Sequence, residues 1–263
     1  MSFRATLSEQ SESKGSRGIF HKIPPLTRYR SFGRDDTMLI IDYNKKYHRQ
    51  IIEACVKALK LAKVIAYPTD TSYGLAVDAT NVKAIKKLYK LKGRNFNKPI
   101  HVIPPSIAYA KKIVKWNKIA SKLSKKFWPG GLTLVLGLRA SAFVRFRRTS
   151  ADKKGLGLRK LSANSGWLGM RMPKNKIALD LAKKLGRPIT TTSANFSGLS
   201  DCYSATDIVV QFRSKKLKPD IIIDAGKLPE RKPSTVVRVD ESFFVFRKGH
   251  ISDNQIKKVL AKI

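Results

Sequence analysis

Short apolar runs that end abruptly in clusters of hydroxyl and cationic side chains constrain this chain most. Val64–Tyr67 stops at Pro68 and opens into Thr69-Asp70-Thr71-Ser72-Tyr73-Gly74. Leu168-Gly169-Met170 runs into Arg171-Met172-Pro173, and Ile189–Thr192 runs into Ser193-Ala194-Asn195-Phe196-Ser197-Gly198. Lys90-Leu91-Lys92-Gly93-Arg94 closes a helical stretch, and Lys232-Pro233-Ser234 leads into Thr235-Val236-Val237. Apolar runs this short, bounded by Pro and Gly, read as strands. Gathered by one sheet, their polar ends describe a pocket with little acid, many small hydrogen-bonding groups and at least three fixed positive charges. Such a pocket suits a ligand that is polyanionic at one end and a small zwitterion at the other.

Helical periodicity fills the intervals. Tyr47–Lys60 carries Ile51, Ile52, Cys55, Val56 and Leu59 on one face, and Asn81–Leu91 carries Val82, Ile85, Leu88 and Tyr89. Further helices are predicted over Ile107–Val114, Trp116–Phe127, Ile177–Leu185, Ala205–Phe212 and, at the end, Lys257–Ile263. Gly186 and Pro188 close the third of these. Strands are predicted over Ile100–Ile103, Leu132–Leu136, Ile221–Ile223, Ser234–Val239 and Phe243–Arg247. Strands and helices mix without a strict β-α-β repeat. The pattern predicts an α/β fold, with α+β as the alternative, around a mixed twisted sheet.

The 54 Lys and Arg against 18 Asp and Glu give a formal charge of +36 in 263 residues. That balance favours polyanionic partners such as nucleotides or RNA, although solvated surface lysines account for much of it equally well. Cys55 and Cys202 stand far apart with no Cys-x-x-Cys, which argues against a disulfide framework or a zinc site and for an intracellular chain. No apolar run has the length of a membrane span. Residues 1–37 lack apolar periodicity and read as a disordered basic extension, a mitochondrial presequence, or a segment ahead of a start at Met38. The rest, 38–263, reads as one domain interrupted by a basic insertion at 139–166. There Arg139, Arg145, Arg147, Arg148, Lys153, Lys154, Arg159 and Lys160 face only Asp152. It is expected to be a solvated arm, with RNA contact or a lid over the pocket as the functional alternatives.

Six blocks stand in order: Pro68–Leu75, Lys92–Arg94, Pro129–Thr133, Arg171–Pro173, Thr192–Gly198 and Ser234–Val237. Together they resemble the YrdC-type threonylcarbamoyl-AMP synthase family over roughly residues 50–250. Gly131 departs from the pattern by replacing a proline, without removing a functional side chain. The resemblance implies a YrdC-like open sheet with a concave basic face. It implies that L-threonine, bicarbonate and ATP give threonylcarbamoyl-AMP and pyrophosphate, for the threonylcarbamoyladenosine modification of tRNA. It places Thr71, Arg171, Thr191 and Ser234 at L-threonine. It places Lys92, Arg94, Lys98, Ser193 and Arg247 at ATP. Mg2+ is expected to arrive on the triphosphate rather than in a protein cage, and a threonylcarbamoyl transferase to use the product. No nucleophile has an adjacent His base, so catalysis is expected to be positional and electrostatic.

Each assignment has a plainer counterpart: a Ser/Thr turn at 69–71, surface lysines at 92 and 98, a structural ion pair for Arg171. Asn195 is expected to fix its turn, His101 to sit in the core, and Thr133 to be structural or at the pocket edge. A non-catalytic double-stranded RNA- or tRNA-binding protein on the same fold is the rival reading. A hydrogenase-maturation domain is excluded by the want of Cys-rich zinc modules. A cytoplasmic location is expected, or a mitochondrial one if residues 1–37 are a presequence.

Overall fold

The predicted strands join into one mixed sheet in the computed structural model, which describes residues 29–30, 38–140 and 154–261. In chain order they are β1 (Tyr29–Arg30), β2 (Leu39–Asp42), β3 (Ile65–Tyr67), β4 (Gly74–Ala76), β5 (His101–Ile103) and β6 (Leu132–Gly137). Then come β7 (Trp167–Arg171), β8 (Ile189–Ser193), β9 (Ile221–Asp224), β10 (Thr235–Val239) and β11 (Phe243–Arg247). Their order across the sheet is β1-β2-β9-β3-β4-β8-β5-β7-β6-β10-β11. Parallel pairs (β2 with β9, β3 with β9, β5 with β7, β6 with β10) are interspersed with antiparallel ones, so the sheet is mixed. β8 joins the two halves: its end, Thr192 and Ser193, pairs with β4, and Ile189–Thr191 pairs with β5. The polar block at 190–193 therefore lies mid-sheet.

Helices α1 (His48–Lys60) and α6 (Lys176–Leu185) cover one face. Ile51, Cys55 and Leu59 of α1 and Ile177, Leu181 and Leu185 of α6 pack on Ile41, Ile65, Tyr67, Ile103, Ile189 and Ile223. Each fully buried aliphatic side chain contributes about 1.5–3 kcal/mol. The other face carries α2 (Val82–Lys92), α3 (Ile107–Ile113), α4 (Lys118–Phe127), α5 (Lys154–Leu161), α7 (Ala205–Phe212) and α8 (Asp253–Leu260). Their apolar residues join Ala66, Leu75, Val102, Leu134, Met170 and Val237 of the sheet.

Capping sets the boundaries that periodicity left loose. Asn81 caps α2, and Asn117 caps α4, which starts two residues later than the apolar pattern suggested. Ser252 and Gln255 form a capping box that starts α8 at Asp253, ahead of the expected Lys257. β2 and β4 were not expected as strands. β4 exists because the Pro68–Tyr73 turn folds it back onto β3.

Two expectations change. Tyr29–Arg30, inside the stretch read as disordered, pairs with β2; the rest of 1–37 lies outside the described residues. The insertion is not solvated throughout. Its later part forms α5, which packs on α2 with Leu158 and Leu161 buried, and the Leu161 carbonyl accepts from the Ile100 N–H. Gly157 lies so close to the chain at Ala79 that an added Cβ would stand 2.6 Å from its carbonyl oxygen. Residues 141–153, with the arginines at 145, 147 and 148, lie outside the described residues.

Candidate active site

Alternate residues of a strand share a face. Ile103 and Ile189 lie under α1 and α6, and His101 and Thr191, two residues along the same strands, line a cleft where that helical cover stops. Thr133 of β6 and Arg171 of β7 are paired in register and line it too, while Leu134 and Met170 beside them face the opposite core. The cleft, about 350 Å³, is the uncovered continuation of the face that carries α1 and α6.

Its walls come from blocks far apart in the chain. Thr69, Thr71, Ser72, Arg94, His101, Thr133, Arg171, Thr191, Thr192, Ser193, Asp201, Ser234 and Arg247 all line it. A second pocket of about 270 Å³ adjoins, sharing Arg94 and Ser193 and adding Lys92, Lys98, Asn195, Ser197 and Gly198. The structure thus brings Thr71, Arg171, Thr191, Ser234, Arg94, Ser193 and Arg247 into one cleft, and puts Lys92 and Lys98 in its annex.

The turn after β3 combines both readings of the sequence. Thr69 Oγ1 donates to the Ser72 carbonyl and accepts from the Thr71 N–H, as a Ser/Thr turn does, while Thr71 Oγ1 accepts from Arg171 Nη1 at 3.2 Å. The Arg171 guanidinium is held on three sides: Nη1 on Thr71, Nη2 on Asp70 Oδ1 at 2.5 Å and Nε on the Gly130 carbonyl at 3.4 Å. Ser234 shares its hydroxyl with Thr133 Oγ1 at 2.8 Å and accepts from Arg247 Nη2 at 3.1 Å. Thr133 is therefore both structural and cleft-lining.

Gly93, at φ +58°, ends α2 in the left-handed conformation and turns the chain so that Lys92 and Arg94 diverge. Lys92 is 1% exposed. Its Nζ donates to the Ser193 carbonyl (2.5 Å), the Asn195 carbonyl (2.8 Å) and Asn195 Oδ1 (3.1 Å). Burial pulls its pKa down to about 7, with Arg94 adding to the effect, whereas three oxygen acceptors favour the ammonium form. Its three hydrogens are thus committed to the turn beyond β8. Asn195 fixes that turn as expected, accepting from Ser193 Oγ at 2.6 Å and donating to the Leu199 carbonyl.

His101, assigned to the core from sequence, reaches the cleft. Burial, then Arg247, Arg94 and Arg171, push its pKa down to about 4, which keeps the ring neutral near neutral pH. Asp70, Ser72, Thr192 and Asp201 were not singled out. Asp70 carried a signal, since an acid inside a polar block stands out in so basic a chain; Asp201, three residues beyond the Thr192–Gly198 block, carried none. Ser72 Oγ lies 3.4 Å from Asp201 Oδ2. Three guanidinia, a ring of hydroxyls and one lining carboxylate can hold a polyanion at one end and a small zwitterion at the other.

Comparison with known proteins gives the family. The Sua5/YciO/YrdC family model, described as "Telomere recombination", matches residues 57–249. A Methanocaldococcus jannaschii relative is 31% identical over 213 residues, covering 81% of this chain and 92% of its own length. The threonylcarbamoyl-AMP synthases of Pyrococcus abyssi and Bacillus subtilis are 30% and 31% identical, covering 86% and 81% of this chain. This chain spans only 62% and 57% of those two proteins. Among solved structures, P. abyssi Sua5 complexed with L-threonine superposes with a TM-score of 0.71 at 28% identity, over 86% of this chain and 61% of that one. Escherichia coli YciO, at 24% identity and a TM-score of 0.64 over 83% of this chain and 97% of its own, shares the fold. By family model, relatives and fold alike, this chain belongs to the Sua5/YciO/YrdC family.

Proposed function

We propose that this protein is a threonylcarbamoyl-AMP synthase, joining L-threonine, bicarbonate and ATP and releasing pyrophosphate. The observation that carries the reading is the convergence of Arg94, Arg171 and Arg247 with the hydroxyls of Thr71, Thr191, Ser193 and Ser234 on one cleft. Relatives that cover most of this chain carry the same activity in their names, and one was solved with L-threonine.

In this reading Arg171 takes the threonine carboxylate, and Thr71, Thr191 and Ser234 surround the amino acid. Arg94, Lys98 and Ser193 face the triphosphate from the annex, and Arg247 faces the nucleotide. Lys92 acts on ATP through the turn it holds, because its ammonium hydrogens are already engaged. The threonine carbamate oxygen attacks the α-phosphorus, and fixed cations stabilise the departing pyrophosphate. No covalent intermediate with the protein is required. Magnesium is taken to enter with ATP, bridging phosphate oxygens, as the chemistry of a triphosphate substrate favours. The adenylate then passes to a threonylcarbamoyl transferase that modifies tRNA, and the excess of positive charge suits transient contact with that RNA. Two free, buried cysteines accord with a reducing compartment such as the cytoplasm. No helix among the described residues is long and apolar enough to cross a membrane.

The test is pyrophosphate release from ATP. It should require L-threonine and bicarbonate together. Equal release with L-valine, or without bicarbonate, overturns the reading.

A further inference from the structure

Two anions must be sorted within one cleft: a carboxylate of single charge and a polyphosphate. Resting on the synthase reading, we propose that Asp70 is a specificity-determining residue that keeps polyphosphate out of the carboxylate end.

The three guanidinia that line the cleft are not equivalent. Arg94 donates to the carbonyls of Lys98 and Pro99, and Arg247 to the carbonyl and hydroxyl of Ser234, all neutral acceptors. Of the three, Arg171 is the one that forms an ion pair among the described residues, with Asp70 at 2.5 Å. Both side chains are nearly enclosed, at 8% and 10% exposure, so solvent and salt screen the pair weakly. Asp70 is not among the residues that line the cleft, whereas its partner Arg171 is. The Arg171 end therefore offers donors with almost no net charge, whereas Arg94 has no acid acting on it among the described residues, and Arg247 feels the cleft-lining Asp201 only at a distance, without an ion pair between them. A polyphosphate draws its affinity from net charge and gains little beside Asp70. A carboxylate depends on fork geometry. A guanidinium has five N–H donors, and three of those of Arg171 are engaged, leaving the two that a bidentate carboxylate needs. Threonine is thereby accepted at an end that the triphosphate of ATP is not drawn to, and ATP is kept from binding in reverse.

The experiment follows adenylate formation by the full chain, with inorganic tripolyphosphate as the probe. In the wild-type protein tripolyphosphate should compete with ATP and not with threonine. In Asp70→Asn it should compete with both, inhibiting against threonine at least about tenfold more strongly, while the KM for ATP stays within about threefold. Asp70→Glu, which keeps the charge, should restore the wild-type pattern; a merely structural Asp70 would not produce this exchange of inhibition type. An active Asp70→Asn with the wild-type pattern overturns the proposal. Should Asp70→Asn not fold, calorimetry on the wild-type chain still decides: a second tripolyphosphate displaced by threonine overturns the proposal, and its absence supports it. A wild-type chain that makes no adenylate overturns the synthase reading instead.

Discussion

Arg171 joins a strand end to two residues of a distant turn, and its contacts predict how its loss will be felt. Arg171→Gln should raise the KM for threonine about ten- to a hundredfold, as loss of a charge-assisted contact of about 1.5–3 kcal/mol implies, and leave the KM for ATP nearly unchanged. Steady-state kinetics with each substrate varied checks this. A rise in the KM for ATP alone would assign the arginine to the nucleotide. His101 makes a second prediction. Its folded pKa of about 4 lies below the unfolded value of about 6.5, so between these the unfolded chain binds the extra proton. Its contribution is complete above about pH 6.5 and is lost as pH falls through about 4. The ring is only partly buried where it lines the cleft, so screening reduces the expected contribution to about 1–2 kcal/mol. His101→Gln should flatten urea-derived stability against pH across that window, and an unchanged slope would assign acid sensitivity to other groups.

At the scale of elements, α5 turns a basic insertion into part of the core. Leu161 is fully buried, and its carbonyl holds the start of β5, which carries His101 to the cleft. Leu161→Ala should cost about 2–5 kcal/mol. Gly157→Val places a branched side chain against the Ala79 carbonyl and should cost about 1–3 kcal/mol or more by overpacking. Chemical denaturation of both variants tests the packing. A deletion that reaches into 154–161 should lose adenylate synthesis with the fold, so a dispensable arm can extend no further than residue 153. The same scale explains the annex: α2 ends at Gly93, and the chain then delivers Lys92 inward to the Ser193–Asn195 turn and Arg94 toward the cleft.

At the scale of the whole molecule, the cleft draws on both halves of the sheet, from the β3–β4 turn on one side to β10 and β11 on the other. Ligands bound there tie the halves together, so they should stabilise global unfolding rather than one element. Threonine and MgATP, each at about a hundred times its dissociation constant, should each add about 2.7 kcal/mol. L-Valine at the same concentration should add much less, because it lacks the hydroxyl that the threonine and serine side chains meet. Thermal unfolding with each ligand measures this; equal shifts for valine and threonine would remove the hydroxyl-based specificity. The formal charge of +36 acts at this scale as well. Contact with tRNA should weaken steeply with salt, since each neutralised phosphate releases counterions, and a salt-independent affinity would argue against an electrostatic encounter.

Local order is what the sequence by itself determined. Ala205–Phe212 and Phe243–Arg247 match their expected limits, and most other elements lie within two residues of theirs, because apolar periodicity and Pro, Gly and Asn punctuation act between near neighbours. The resemblance likewise named side chains from distant stretches, some inside the six blocks and others, such as Lys98, Thr191 and Arg247, beside or beyond them, and these line the cleft or its annex. What only the tertiary structure decided are the pairings across the sheet. Asp70 meets Arg171 across 101 residues, and Lys92 is buried among oxygens 101 and 103 residues away. His101 leaves the core for the cleft because α1 and α6 cover only part of that face, and α5 enters the core because Leu158 and Leu161 find α2. Strand register and helix placement fix such contacts, and neither is written in any one stretch of chain, so a charged residue's partner can be known only once the strands beside it are known.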